Sequence, residues 1–312
     1  MSTAGSTASR PRTDGVAAAF WNAAIVRAVD YTAIAKPRIS LMVLVTVAIG
    51  YVLGSAGSWN PYPLLHAMFG IALVATGSSA LNQWLERHTD ARMHRTADRP
   101  LPTGRLSSGE VFAFGLTAGI VGTLYLAVQV NWITALLTAL TLVIYVTAYT
   151  PLKRVTAFCT AIGAIAGALP PALGWAAAAG KLDAGAWILF GVLFLWQFPH
   201  FLAIAWIYRG DYARADLKML PSGPRSAQLT GQQMVAYSMV LLPVSLLPSQ
   251  FALAGTSYFL AAVVLGVGYL ACSIRFAVSP SDKTARGLLL SSLLYLPLLL
   301  LSLLWDHIQL LQ

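Results

Sequence analysis

Nine apolar stretches divide the chain, at about 40–57, 63–85, 111–130, 132–150, 157–179, 186–207, 234–253, 256–277 and 287–305. Each comes close to the roughly 20 residues that an α-helix needs to cross the hydrocarbon core of a bilayer. Polar segments at 86–110, 151–156, 180–185, 208–233 and 278–286 separate them, with tight turns near 58–62, 131 and 254–255. Lipid offers backbone groups no partners, so stretches of this length predict helices. The predicted fold is all-α: a polytopic membrane protein with nine transmembrane helices in a bundle. The first 15 residues are small, polar and basic with no apolar run directly behind them, and read as a disordered cytosolic tail rather than a cleaved leader. Val16 to Lys36 are of mixed character and suit an amphipathic helix lying on the membrane surface. The expected division is a tail at 1–30, a helical domain at 31–306 and a short outer tail at 307–312.

Composition agrees. Of 312 residues, 57% are hydrophobic and 10% charged, with mean hydropathy +0.69. A soluble domain carries about 25% charged residues, so a soluble enzyme, a disordered chain and a disulfide-stapled domain are all excluded. The net charge of +9 would suggest nucleic acid in a soluble protein. Here 19 of the 20 Lys and Arg residues fall in segments 1–39, 86–110, 151–156, 208–233 and 275–286, and only Lys181 falls elsewhere. That is the positive-inside pattern, with the N-terminus cytosolic and the C-terminus outside, and it leaves no call for a nucleic-acid partner. Trp59, Trp132, Trp187 and Trp305 sit near the outer ends of spans, where interfacial anchors belong. Cys159 and Cys272 lie in apolar runs and read as small buried hydrophobes. Short outer loops and long polar inner ones gather the chemistry on one face, as an enzyme with a cytosolic polar substrate requires.

The densest polar cluster runs from Asn82 to Thr96. Asn82, Glu86 and Asp90 are spaced i, i+4, i+8, so they project from one helical stripe. Three oxygen-bearing side chains at the end of a membrane helix suit Mg²⁺, which takes one or two carboxylates together with substrate phosphates and water. Arg92, Arg95 and Arg99 follow and could grip phosphate oxygens. The competing reading is a solvated helix end with i,i+4 charge pairs. A second acidic segment, Tyr208 to Lys218, closes the sixth span on the same face with Asp211 and Asp216. Two acidic motifs flanked by basic residues suggest two Mg²⁺ ions on a diphosphate.

Within the sixth span stands Trp196-Gln197-Phe198-Pro199-His200-Phe201. A polar, ionisable residue inside the bilayer is a functional-site candidate, and His200 with Gln197 and Trp196 suggests an apolar pocket for a large flat ligand. The alternative is a histidine hydrogen-bonded between helices. Tyr145 and Tyr149 share a face that Lys153 extends to the rim, where their rings would stabilise a carbocation or serve as interfacial anchors. Gly163, Gly167 and Gly174 permit close helix packing. Leu101-Pro102-Thr103-Gly104 recurs, 119 residues later, as Leu220-Pro221-Ser222-Gly223, which suggests two four-helix halves plus one helix, with a site between them. There is no P-loop, GxSxG or HExxH motif.

These residues resemble a known family. The Asn82/Glu86/Asp90 stripe running into Arg95-Thr96 and Arg99-Pro100-Leu101-Pro102 resembles the first acidic motif of the UbiA-type intramembrane prenyltransferases. Within that superfamily, Lys36-Pro37-Arg38, Tyr149 to Arg154, Gly167 to Pro171, Trp196 to Phe201 and Met219-Leu220-Pro221 are similar to the protohaem IX farnesyltransferase branch. The resemblance covers roughly residues 30–305 in order. It implies a nine-helix prenyltransferase domain with a central cavity and cytosolic capping loops, in a bacterial cell membrane. It further implies farnesyl diphosphate and haem B as substrates, haem O and diphosphate as products, and Mg²⁺ as cofactor, with a haem A synthase as a candidate partner. Carried over, Asn82, Glu86, Asp90, Asp211 and Asp216 would hold the metal. Arg95, Lys153 and Lys218 would touch phosphate, and His200 would face the haem side of the cavity. Glu86 stands where the family commonly has Asp, and Asp216 and Lys218 also depart from its pattern. The rival readings are a prenyltransferase acting on a 4-hydroxybenzoate-type aromatic acid, and a membrane transporter or haem carrier.

Overall fold

The computed structural model describes residues 13–58, 60–221 and 223–312, with helices throughout and no strand among the described residues. Residues 1–12 of the tail expected at 1–30, the anchor Trp59 and Ser222 of the second tetrapeptide lie outside the described residues. Helix α1 (Thr13–Ala35) leads into α2 (Pro37–Gly54), α3 (Pro61–Asp90), α4 (Ser108–Gln129) and α5 (Trp132–Val143). After α5 the chain takes a π-helical turn over Ile144–Tyr149 and a short α6 (Thr150–Leu152). Then come α7 (Cys159–Ala179), α8 (Ala184–Ile207), the short α9 (Arg209–Arg214), α10 (Ser226–Gln250), α11 (Thr256–Val278) and α12 (Asp282–Leu310).

Eight helical segments among the described residues are long and apolar enough to cross a membrane: α2, α3, α4, α5 through α6, α7, α8, α11 and α12. The ninth expected span corresponds to α10, whose first turns carry Gln228, Thr230, Gln232 and Gln233 and whose interior holds Pro243 and Pro248. That polarity keeps it below the hydropathy of the others, although it packs against α8 and α11 as a neighbour in the bundle. Outward-facing Leu124, Val128, Val264, Leu290 and Leu301 are exposed, the pattern of a surface solvated by lipid rather than water. Trp132, Trp187 and Trp305 are exposed at the ends of α5, α8 and α12.

Close packing of α2 on α7 closes the bundle. A Cβ on Gly174 would lie 1.9 Å from the Val47 carbonyl oxygen, so only glycine permits this approach. Helix α1 runs through the expected boundary at residue 30. It is tied to the body by Asp30 accepting from Arg105 at 2.9 Å, and by Glu110 accepting from Arg27 and from Tyr31, the latter at 2.7 Å. Ser79 and Gln83 of α3 both donate to the Ile34 carbonyl, at 2.8 and 2.9 Å, satisfying the open end of α1. Both repeated tetrapeptides end in a glycine with positive φ, Gly104 at 74° and Gly223 at 94°, so each closes a turn that a side chain would strain.

Candidate active site

The chain breaks between α1 and α2 at Lys36, whose φ of 49° and ψ of 60° place a non-glycine residue in the left-handed region just before Pro37. That kink hangs Lys36 over the mouth of the bundle. There it lines a polar chamber of about 530 Å³ with Arg38, Asn82, Glu86, Arg95, Arg99 and Lys153. Burial, reinforced by the nearby Arg99 and Lys153 cations, lowers the Lys36 ammonium to about 8. Lys153 donates to Glu86 Oε1 at 2.7 Å, and both side chains are buried. Burial alone would depress the Lys153 ammonium, but the Glu86 carboxylate helps hold it above the ordinary lysine range.

Further along the same α3 stripe, Asp90 is 1% exposed and its Oδ2 accepts from Arg99 at 2.7 Å. Its Oδ1 is buried without any hydrogen-bond partner. Asn82 donates to Thr150 Oγ1 at 3.0 Å, and Thr150 donates to the Tyr145 carbonyl at 2.8 Å. The i→i+5 register of the π-turn carries Tyr145 and Tyr149 to the chamber wall with ring centroids 5.1 Å apart, and such turns are frequent at functional sites. Lys153 Nζ lies 4.3 Å from the Tyr149 ring centroid. Arg95 joins the two acidic segments. It donates to the Tyr212 hydroxyl at 2.9 Å and lies over the Tyr208 and Tyr212 rings at 5.0 and 5.1 Å.

Below the polar chamber lies a second of about 420 Å³, walled by Val43, Ile71, Val74, Leu142, Pro170 and Leu173 among others. The two share Lys36, Ile39, Arg95, Tyr145, Tyr149, Tyr212 and Met219, so they form one continuous space, polar at the cytosolic end and apolar below. Ile71 precedes Glu86 by fifteen residues, about 22 Å of helix, which measures the depth of the apolar part.

The sequence-expected residues divide into two groups. Asn82, Glu86, Arg95, Arg99, Tyr145, Tyr149 and Lys153 line the space, Gln197 reaches its apolar part, and Asp90 is buried at its edge through Arg99. Asp211 is buried and accepts from Arg214, whereas Asp216 and Lys218 are exposed and line neither chamber. Lys218 contributes its backbone instead, donating to the Lys153 carbonyl at 2.7 Å and so tying the capping loop to the rim. His200 and Trp196 do not reach the chambers. His200 Nδ1 bonds Ser292 Oγ at 2.7 Å, Trp196 donates to the Ser292 carbonyl at 3.0 Å, and their rings stack at 4.8 Å. Helix phase explains this. Phe201 and Ile204 lie within about 40° of Gln197, while Trp196 and His200 lie about 60–100° round, on the face that α12 covers.

Among the described residues no three His, Cys, Asp or Glu side chains converge as a ready-made metal cage. Mg²⁺ does not require one, since it takes one or two carboxylates and completes its shell with phosphate oxygens and water. Glu86, Asp90 with its orphaned buried oxygen, and Asn82 fit that requirement. Lys36, Tyr212 and Met219 also line both chambers, and the sequence had assigned them no role. The signals for the first were the Lys-Pro pair that ends the segment at 16–36 and the resemblance of Lys36-Pro37-Arg38 to the family.

The UbiA prenyltransferase family model matches residues 43–304. The protoheme IX farnesyltransferase of Solibacter usitatus (strain Ellin6076) is 46% identical over 279 residues, covering 86% of this chain and 96% of that protein. That of Koribacter versatilis (strain Ellin345) is 45% identical over 288 residues, covering 89% and 93%. Among solved structures, a digeranylgeranylglyceryl phosphate synthase has a TM-score of 0.72 at 17% identity, covering 90% of this chain and 98% of that one. A UbiA homologue from Archaeoglobus fulgidus bound to DMAPP and Mg²⁺ has a TM-score of 0.63 at 15% identity, covering 88% and 99%. At those identities the structural likeness carries the fold.

Proposed function

The chain belongs to the UbiA prenyltransferase family, and from that premise we propose that it transfers a farnesyl group from farnesyl diphosphate to a vinyl group of protohaem IX (haem B), giving haem O and diphosphate. The observation that carries this reading is the continuous space whose polar, cation-rich end opens into an apolar chamber at Tyr145 and Tyr149. It suits a molecule with a diphosphate head and a long hydrocarbon tail.

Lys36, Arg95, Arg99 and Lys153 hold the diphosphate and stabilise the charge that grows on it as the C1–O bond breaks and the electron pair leaves with the phosphate. Asn82, Glu86 and Asp90, with Asp211 in support, would hold Mg²⁺, which when bound would further neutralise that leaving group. The Tyr145 and Tyr149 ring faces flank the point where the chain leaves the polar end, where they favour the allylic cation electrostatically. The apolar chamber holds the tail and excludes water from that cation. The vinyl π pair of the acceptor forms the new bond to C1, and a water then adds to the resulting cation and loses a proton to give the hydroxyethylfarnesyl group. His200 and Trp196 are assigned to the α8–α12 contact, and Asp216 and Lys218 to the surface of the capping loop.

The protein is an integral membrane protein, and the one-sided Lys and Arg distribution supports a cytosolic N-terminus in a bacterial cell membrane. A haem A synthase, which would consume haem O, is the candidate partner. Pigment extraction from cells expressing the protein tests the reading: accumulation of haem O supports it, and a prenylated aromatic acid in its place overturns it.

A further inference from the structure

Beside the two chambers lies a third space of about 220 Å³, between the first turn of α7, the middle of α8 and α10. The stacked rings of Phe198 and Tyr237, 3.7 Å apart and inclined by 2°, belong to its lining. Phe158 stands at its mouth, 64% exposed. Thr160 and Met219 line both this space and the apolar chamber, and Met219 lines the polar chamber as well, so all three meet at one residue. Met219 is buried, with Cys159 Sγ 3.9 Å from its Sδ. Its unbranched thioether side chain changes shape at little cost, which suits a movable partition. Lys218 precedes the lining residue Met219, Arg154 lies three residues before Ala157 and Arg225 four after Pro221; all three are exposed and form no ion pair among the described residues. The farnesyl tail does not account for these features, because the apolar chamber below Tyr149 already receives it.

We propose that the side chamber is the acceptor's entry site, taking a flat, largely apolar macrocycle whose acidic groups lie along one edge. The proposal rests on the functional reading above and adds where and how the second substrate is held. The acid edge stays at the mouth with Arg154, Lys218 and Arg225, and the opposite edge, which in protohaem bears the vinyl groups, passes Met219 toward Tyr149. The chamber is smaller than a whole tetrapyrrole, so Met219 turns aside and joins it to the reaction space when the acceptor enters.

The test is steady-state kinetics of the purified full-length protein with haem B and farnesyl diphosphate. Ala161→Trp, which fills the side chamber from α7, is expected to raise KM for haem B by about tenfold or more while KM for farnesyl diphosphate stays within about twofold. Should that variant not accumulate in membranes, Gln233→Trp fills the chamber from α10 and carries the same expectation. The pair Lys218→Gln with Arg225→Gln is expected to raise KM for haem B severalfold and to leave KM for its dimethyl ester unchanged. Haem O formation by the wild type tests the functional reading itself. A wild type that makes haem O, together with tryptophan variants that use haem B at the wild-type KM, overturns the side chamber alone.

Discussion

Lys153 Nζ and Glu86 Oε1 stand 2.7 Å apart across the mouth of the bundle, joining α3 to the turn after α6 with both charges buried. Removing one partner of such a pair leaves an uncompensated buried charge, at a cost of about 3–5 kcal/mol, whereas replacing both with apolar or neutral groups is often close to neutral. Lys153→Met alone should therefore lower stability in detergent, and adding Glu86→Gln should recover most of it. Activity should not recover, because each residue is also proposed to hold the diphosphate or its metal. Each single variant is expected to lose about 10²–10³-fold in kcat. A double variant that regained turnover together with stability would show the pair to be structural only.

Lys36 gives the site a dependence on pH. Burial lowers its pKa in the folded chain to about 8, so the charge proposed to attract diphosphate is present below that value and fades above it. The profile of kcat/KM for farnesyl diphosphate reports groups of the free enzyme, so it should fall as pH rises through about 8. Lys36→Arg, which remains charged, should carry that falling limb to higher pH. A profile unchanged by the substitution would remove Lys36 from diphosphate binding.

Tyr149 is held in place by the absence of a side chain opposite. A Cβ on Gly163 would lie 2.6 Å from Tyr149 Cε2, so Gly163→Ala must push the ring. Small misplacements of groups around a reacting centre can cost up to about 10²-fold in rate, and a loss of about tenfold in kcat is expected here. KM for farnesyl diphosphate should change little, since the phosphate-binding cations are untouched. A circular dichroism spectrum and melting curve like the wild type's would separate this effect from misfolding.

The apolar chamber should set the chain length. Val74 lines it on α3, twelve residues before Glu86 and about 18 Å along the helix. Val74→Trp would fill the lower part and should favour geranyl over farnesyl diphosphate, measured as a reversed ratio of kcat/KM. An unaltered preference would place the prenyl tail elsewhere.

Much of this arrangement was legible in the sequence because it depends on period and length. The span expected at 157–179 is α7 at Cys159–Ala179, and the one expected at 186–207 is α8 at Ala184–Ile207. The i, i+4, i+8 spacing placed Asn82, Glu86 and Asp90 on one stripe, and the structure brings Lys153, 67 residues away from Glu86, to meet it. What could not be read was helix phase relative to neighbours. Gln197 and His200 are three residues apart in one polar string, yet the first reaches the apolar chamber and the second turns to Ser292 on α12. Nor does local sequence show that Lys36 adopts a left-handed backbone, or that Asp216, at φ 54°, faces water at the surface of the capping loop. The lower hydropathy of α10 reflects its early glutamines, which an apolar count centred further along the helix passes over.

The central claim is tested most directly by incubating the purified protein with haem B and farnesyl diphosphate, with Mg²⁺ and with a chelator, and identifying the pigment by mass. Haem O and released diphosphate in equal amounts with Mg²⁺, and neither with the chelator, is the expected result. Unmodified haem B after incubation with active, folded protein and Mg²⁺ would contradict it.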